Sequence, residues 1–185
     1  YIKQNKGEVQ VTLKPVFLDR FRAALCRLGC ADDRLLCAVS GGPDSLALLL
    51  LAQQILPGKL VAATVDHQLR SESADEAQLV AKICHDLGVP HIILTPEAEI
   101  AGNLQSSARA ARYALLERAA EAQNCQHIGT AHHADDQLET LLMRLARGSG
   151  VDGLSGIRAR NGRVVRPLLE FTKAELIEIC SSVGI

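Results

Sequence analysis

Apolar residues recur along the chain in two alternating rhythms. Short runs in which nearly every position is apolar, at residues 35–39, 60–65, 91–94, 127–131 and 164–166, alternate with longer stretches of helical period. The first helical stretch, 16–28, places Val16, Phe17, Phe21, Ala24, Leu25 and Leu28 at helical spacing and stops at Gly29. Others span 44–56, 74–87, 104–122, 134–147 and 173–183. Ser73 with Glu76 and Thr172 with Glu175 fit capping boxes, and Gly88 and Gly148 supply stops. Strands that are apolar throughout are covered on both faces, and the helices between them imply parallel pairing through right-handed crossovers. The expectation is an α/β fold: a Rossmann-like, five-stranded parallel sheet with helices on both faces and strand order 3-2-1-4-5. A polar leader is expected over residues 1–15 and one folded domain over 16–185.

Composition narrows the class without naming a chemistry. With 185 residues, 48% hydrophobic and 22% charged, the chain suits one globular domain and excludes disordered, collagen-like and coiled-coil architectures. The longest uncharged apolar run, 45–56, contains two glutamines and is shorter than the ~18 residues a membrane span needs, so a cytoplasmic protein with no membrane partner is expected. Six scattered cysteines without a Cys-x-x-Cys pair read as reduced, buried thiols, not as disulfides or a metal site. The net charge of −1 conceals −7 over residues 66–140 and +3 over 141–185. Arg144, Arg147, Arg158, Arg160, Arg163 and Arg166 in that last block suit either nucleic-acid phosphates or a solvated surface. With no Trp, two Tyr and three Phe, no stacking platform for single-stranded RNA is visible.

The first strand runs into Ser40-Gly41-Gly42-Pro43-Asp44-Ser45 and then into an apolar helix. Paired glycines let the backbone turn with its amides inward, and Pro43 suits a first helical turn, where the N–H it lacks would have no partner. Unpaired N–H groups and the positive end of the helix dipole favour phosphate, with the Ser40 and Ser45 hydroxyls as further donors. Asp44 would repel that phosphate unless a divalent cation such as Mg²⁺ lies between them, so metal-bridged phosphate is the expectation. A plain tight turn capped by Asp44 and Ser45 is the simpler alternative on these residues alone. No Walker loop occurs, and no Gly-x-Gly-x-x-Gly follows a strand.

The fourth strand is followed by His132, His133, Asp135, Asp136 and Glu139. Asp136 and Glu139 lie three apart near a helix start, and Leu138, Leu141, Leu142 and Leu145 form its expected buried face. Open parallel sheets bind ligands beyond the carboxyl ends of their strands, where both segments lie. Each residue alone has a structural explanation, since acids complement a helix dipole and a strand-end histidine packs or caps. Together His132, Asp136 and Glu139 favour function.

Residues 40–45 resemble the pyrophosphate loop, Ser-Gly-Gly-x-Asp-Ser, of the N-type ATP pyrophosphatases, the PP-loop superfamily, which adenylate an oxygen and release pyrophosphate. Residues 129–150, Val151-Asp152-Gly153-Leu154-Ser155-Gly156-Ile157, Val65-Asp66-His67-Gln68-Leu69-Arg70 and Ala108-Arg109-Ala110-Ala111-Arg112-Tyr113 jointly resemble the tRNA(Ile)-lysidine synthetase family. That resemblance runs from about residue 35 to 185. It implies ATP and Mg²⁺ as cofactors, and tRNA(Ile) with a CAU anticodon and free L-lysine as partners. ATP would adenylate O2 of the wobble cytosine with loss of pyrophosphate; the lysine side-chain amine would then attack C2 and expel AMP. The resemblance assigns Ser40, Gly41, Gly42, Pro43, Asp44 and Ser45 to the nucleotide, Asp44 to Mg²⁺ and Arg112 to the transferring phosphate. It gives His132 to phosphate or the adenylate, Asp136 and Glu139 to the lysine ammonium groups, and Asp66 to adenosine. Without it, Arg112 is as well a surface arginine paired with Glu117, and Asp66 a turn residue. Family members continue past the equivalent of Ile185, so the expectation is a catalytic domain that binds ATP–Mg²⁺ and modifies tRNA poorly by itself. Oligomeric state is left open, a homodimer being compatible.

Two rivals remain: a PP-loop tRNA thiolase, which would call for a reactive cysteine pair or a cluster-binding Cys-x-x-Cys, and a nonenzymatic adenine-nucleotide-binding module. The carboxylates Asp44, Asp136 and Glu139 speak against passive binding, because a module that only holds a triphosphate has little use for three negative charges around it.

Overall fold

The structure, a computed structural model, describes residues 3–5, 8–10, 12–66, 72–96, 104–148 and 155–185. Residues 67–70 and 149–154, parts of three of the motifs above, lie outside the described residues, as does the side chain of Ser73, the expected cap of the second crossover helix. Strands β1 (Lys3–Asn5) and β2 (Glu8–Gln10) pair antiparallel where a patternless leader was expected. Backbone pairing needs no apolar alternation, so the residues gave no sign of it.

The main body alternates strand and helix: α1 (Pro15–Leu28), β3 (Leu35–Ala38), α2 (Pro43–Ile55), β4 (Leu60–Val65), α3 (Glu72–Asp86), β5 (His91–Leu94), α4 (Leu104–Ala122), β6 (His127–Gly129) and α5 (Ala134–Ala146), then β7 (Arg160–Asn161), β8 (Val164–Val165) and α6 (Lys173–Ser182). The sheet order is β5-β4-β3-β6-β8-β7. Its five parallel strands follow the expected order, and the count needs one correction: a sixth, antiparallel strand, β7, flanks β8. Both β7 residues are exposed, so no apolar run announced it; the visible signal was Asn161-Gly162, with Gly162 at φ 58° opening a two-residue hairpin turn.

Strand alternation divides the core. Leu35, Cys37 and Val39 face α1, α2, α3 and α6, whereas Leu36 and Ala38 face α4 with Leu116, Ala119 and Ala120. Residues Leu46–Ala52 of α2 are all buried, which is why that helix lacks a polar stripe. Helix α6 is tied to α1 by ions: Arg20 pairs with Glu175 at 2.5 Å and lies 4.4 Å over the Phe171 ring, and Arg27 pairs with Glu170 at 2.7 Å. The Thr172–Glu175 capping box forms as expected, Thr172 N donating to Glu175 Oε2 at 2.9 Å.

Helix α5 departs from expectation. Leu138, Leu142 and Leu145 are 57%, 56% and 54% exposed, Leu141 is half-buried, and no α5 residue is buried. The helix instead turns Gln137 inward, whose amide accepts from Ile157 N and donates to Ile157 O at 3.0 Å. Helical period located the apolar stripe correctly, but the described residues do not cover it.

Five cysteines are buried and Cys26 is exposed. Burial pushes the thiols of Cys30 and Cys180 up to about 11 and Cys84 to about 12, and raises Cys37 and Cys125 as well. Titration of the native protein with a chromogenic disulfide should therefore label Cys26 fast and the other five only on unfolding; two or more fast thiols would contradict this packing.

Candidate active site

β3, β4 and β5 are laid down in one direction across the sheet and β6 and β8 in the other, so the order switches between β3 and β6. The crevice outside their carboxyl ends is where such a sheet takes its ligand. After β3 the chain turns through Ser40-Gly41-Gly42 into α2. Gly41 adopts φ 90°, a region side chains avoid, and a Cβ there would lie 3.5 Å from Val80 Cγ2. Ser45 braces the turn: its Oγ accepts from Ser40 N at 3.1 Å and donates to Gly42 O at 2.9 Å. The Ser45 hydroxyl is thus committed to the loop, while among the described residues the amides of Gly41 and Gly42 have no internal acceptor.

The loop forms one wall of an open cleft of about 220 Å³. Ser40, Gly42, Asp44 and Ser45 face Arg112, His132 and Asp136 across it. A second, smaller crevice of about 100 Å³ lies between the carboxyl ends of β3 and β4, lined by Ala38, Val39, Ala63 and Val65, and shares Ser40 and Arg112 with the first. Its apolar walls suit a flat base, and Arg112 stands at the junction. Arg112 is not spent on Glu117, whose partner is Arg163 at 3.5 Å. Pro43 begins α2 with no N–H to offer, as expected. Two further sequence candidates do not line either cavity. Asp66 follows β4, with its amide on Leu94 O at 2.9 Å, and lines neither cavity. Glu139 is exposed on α5 and lines neither.

The structure adds two residues that sequence reasoning missed or left unplaced. Lys173, the first residue of α6, places Nζ 2.6 and 2.7 Å from the two carboxylate oxygens of Asp44. His133, the buried N-cap of α5, has Nε2 at 3.6 Å from Asp44 and 3.5 Å from Asp136, and Nδ1 at 3.5 Å from Asp135. The starts of α5 and α6 are cross-linked, since Lys173 N donates to Asp135 Oδ2 at 2.7 Å and Ala134 N to Phe171 O at 2.8 Å. A signal for Lys173 was present in the chain: a lysine in the first turn of a capped helix opposes the dipole unless a carboxylate answers it. The second site acid, Asp136, also caps its own helix by accepting from His133 N at 2.9 Å.

His132 sits in a contrasting field. Burial holds its imidazole down at about 4, the guanidinium of Arg166 and those of Arg109 and Arg112 push the same way, and Asp136 opposes them. Its Nδ1 is fixed 3.1 Å from Thr130 Oγ1. The ring is therefore a neutral hydrogen-bonding group at neutral pH. Of the arginines in the last block, Arg160 donates to Leu28 O at 2.7 Å, Arg144 to Ser155 Oγ at 2.7 Å, and Arg163 pairs with Glu117 and Glu121, so these serve the fold. Among the described residues no group of three or more His, Cys, Asp or Glu is arranged to hold a metal by itself, and no helix is long and apolar enough to cross a membrane.

The chain is 45% identical to a tRNA(Ile)-lysidine synthase of Zymomonas mobilis subsp. mobilis, over 97% of this chain and 57% of that protein. It is 45% identical to another of the same name from Novosphingobium aromaticivorans, over 90% of this chain and 53% of that one. It thus spans about half the length of these curated relatives. Among solved structures, a U34-tRNA thiolase from Methanococcus maripaludis superposes with a TM-score of 0.74 at 19% identity, covering 90% of this chain and 62% of that one, a likeness of fold. The profile of the PP-loop domain matches residues 13–185, and with the loop, the switch-point crevice and the sheet order in place, the chain belongs to the PP-loop family of ATP-binding domains.

Proposed function

We propose that this domain carries the catalytic centre of a protein that performs ATP-dependent ligation of lysine to C2 of the wobble cytidine of tRNA(Ile) with a CAU anticodon, acting in the cytoplasm. The carrying observation is the glycine turn into α2: among the described residues the amides of Gly41 and Gly42 have no internal acceptor, and Gly42 lines one cleft with Arg112, His132 and Asp136. The lysidine synthase name of relatives at 45% identity supports the choice of acceptor and nucleophile.

Cytosine O2 is a poor leaving group, and joining it to AMP converts its departure into that of a stabilised phosphate. The amides of Gly41 and Gly42, with Ser40, would bind the outer phosphates, and the apolar crevice at Ala63 and Val65 would take the base beside Asp66. This leaves the inner phosphate at Arg112, whose fixed charge stabilises the oxygens during transfer. Asp44 suits Mg²⁺: its carboxylate opens on the cleft and already attracts a cation, the Lys173 ammonium. Mg²⁺, which typically binds through one or two carboxylates plus substrate phosphates, would neutralise the departing pyrophosphate. Lys173 and His133 orient Asp44, and neutral His132 donates or accepts a hydrogen bond at the adenylate. Asp136 would hold the lysine ammonium and accept the proton whose loss frees the amine to attack C2 as AMP departs, with Glu139, nearly one turn further along α5, as the second acid. The thiolase alternative is disfavoured because five of the six cysteines are buried and have raised pKa values or stay packed as thiols, leaving no reactive pair at the cleft.

In the full protein, Asp44→Ala should abolish ATP–pyrophosphate exchange, and Lys173→Met should lower it about tenfold or more by releasing the carboxylate. Exchange at the wild-type rate in Asp44→Ala would refute the adenylation role. With labelled lysine, ATP and tRNA(Ile) bearing CAU, Asp136→Ala and Glu139→Ala should cut incorporation, and unchanged incorporation in both would remove them from the lysine site. The His132 ring should titrate by NMR with a midpoint near 4. An unfolded chain takes up this proton near 6.5, so the stability His132 contributes is present above that pH and is lost as acid carries the protein down through about 4. A native midpoint at 6 or above would contradict the field described for it.

A further inference from the structure

Arg166 follows β8, whose Val165 lies in register with Gly129 of β6. Thr130 N donates to Val165 O at 3.0 Å, and Thr130 Oγ1 holds His132 Nδ1, so the β6–β8 ladder sets Arg166 and His132 at one level of the sheet. Val164 packs with Leu116 and Ala120 of α4 and Val165 with the opposite face, so alternation turns Arg166 toward α4, the side that supplies Arg112. Among the charges around the His132 ring, Arg166 has the largest influence, ahead of Asp136.

The Arg166 side chain is only partly answered. The residue is 8% exposed, its Nη1 donates to Arg158 O at 2.6 Å, and its Nε is buried with no partner. Among the described residues no carboxylate pairs with it. A buried guanidinium without an anion is unfavourable, and an anion brought by a ligand would complete it.

L-Lysine carries two ammonium groups and one carboxylate, and Asp136 and Glu139 answer the ammonium groups alone. We propose that Arg166 binds the carboxylate of the amino-acid substrate and so selects an α-amino acid over a simple amine, an assignment that rests on the lysine-transfer function above. The free Nε edge of a guanidinium offers two parallel N–H donors to a carboxylate, a geometry an ammonium lacks. Asp136 and Arg166 flank one neutral imidazole, which together complement a zwitterion.

Cadaverine, lysine without its carboxylate, is the probe. Calorimetric titration of the full protein should give the wild type a preference for L-lysine over cadaverine of about tenfold or more, as expected for a charge-assisted pair. Arg166→Gln should bring the preference close to unity while cadaverine still binds, and Arg166→Lys, which keeps the charge, should retain part of it. A preference that survives in Arg166→Gln, a wild type without one, or loss of both amines together in both variants would each overturn the proposal. So would a defect in Arg166→Gln confined to RNA binding. Wild-type pyrophosphate exchange is measured alongside: exchange without a lysine preference sinks the carboxylate site alone, whereas absent exchange sinks the adenylation function whatever the amine preference.

Discussion

The ion pair between Lys173 and Asp44 joins the two ends of the domain at its working face. Asp44 lies in the first turn of α2, Lys173 opens α6, and between them His133 opens α5. Three helices therefore begin at one place, each bringing the positive end of its dipole and unpaired N–H groups. Unrelieved, that concentration of positive potential would be costly. Asp44, Asp135 and Asp136 relieve it, and the hydrogen bonds from Lys173 N to Asp135 and from Ala134 N to Phe171 O fix the helix starts relative to one another. The resulting surface attracts anions yet carries acids that hold cations, which is the mixed character a metal-assisted phosphate site requires.

The division of the cleft follows from the sheet. β4 lies on one side of β3 and β6 on the other, so an apolar crevice opens toward β4 and a polar wall toward β6. A nucleotide lying along β3 would place its base in the first and its phosphates against the glycine turn, with Arg112 between. On the proposed function, acceptor and nucleophile would take the β6 and β8 side, where neutral His132, Asp136 and Arg166 stand. A charged imidazole there would compete with any cationic ligand for Asp136; burial and three arginines keep it uncharged.

Most of the sheet was legible because β3, β4, β6 and β8 are buried on both faces, which leaves a continuous apolar signature that chance rarely produces, and β5 keeps the apolar run although Ile93 is exposed. β7 was not, because two exposed residues at an edge carry no such signature, and β1 and β2 were not, because five of their six residues are polar. The glycine loop was legible for a local reason: backbone turn, helix start and acid are contiguous in residues 40–45. Lys173 and His133 were harder. Lys173 acts through a partner 129 residues away, and only its awkward place at a helix start hinted at it. Glu139 was grouped with Asp136 on spacing, but the side chain of α5 that reaches inward is Gln137, on Ile157, while Glu139, Leu138, Leu142 and Leu145 are exposed. Periodicity fixes which residues share a face, and tertiary contacts decide where that face points.

The central claim is that the turn into α2 holds the two outer phosphates of ATP and presents the inner one for attack. A crystal structure with a nonhydrolysable α,β-methylene ATP analogue tests this directly. The account predicts β- and γ-phosphate oxygens on the amides of Gly41 and Gly42, the α-phosphate beside Arg112, and the base between β3 and β4. An analogue bound elsewhere, with the Gly41 and Gly42 amides closed onto carbonyls of the protein, would contradict it.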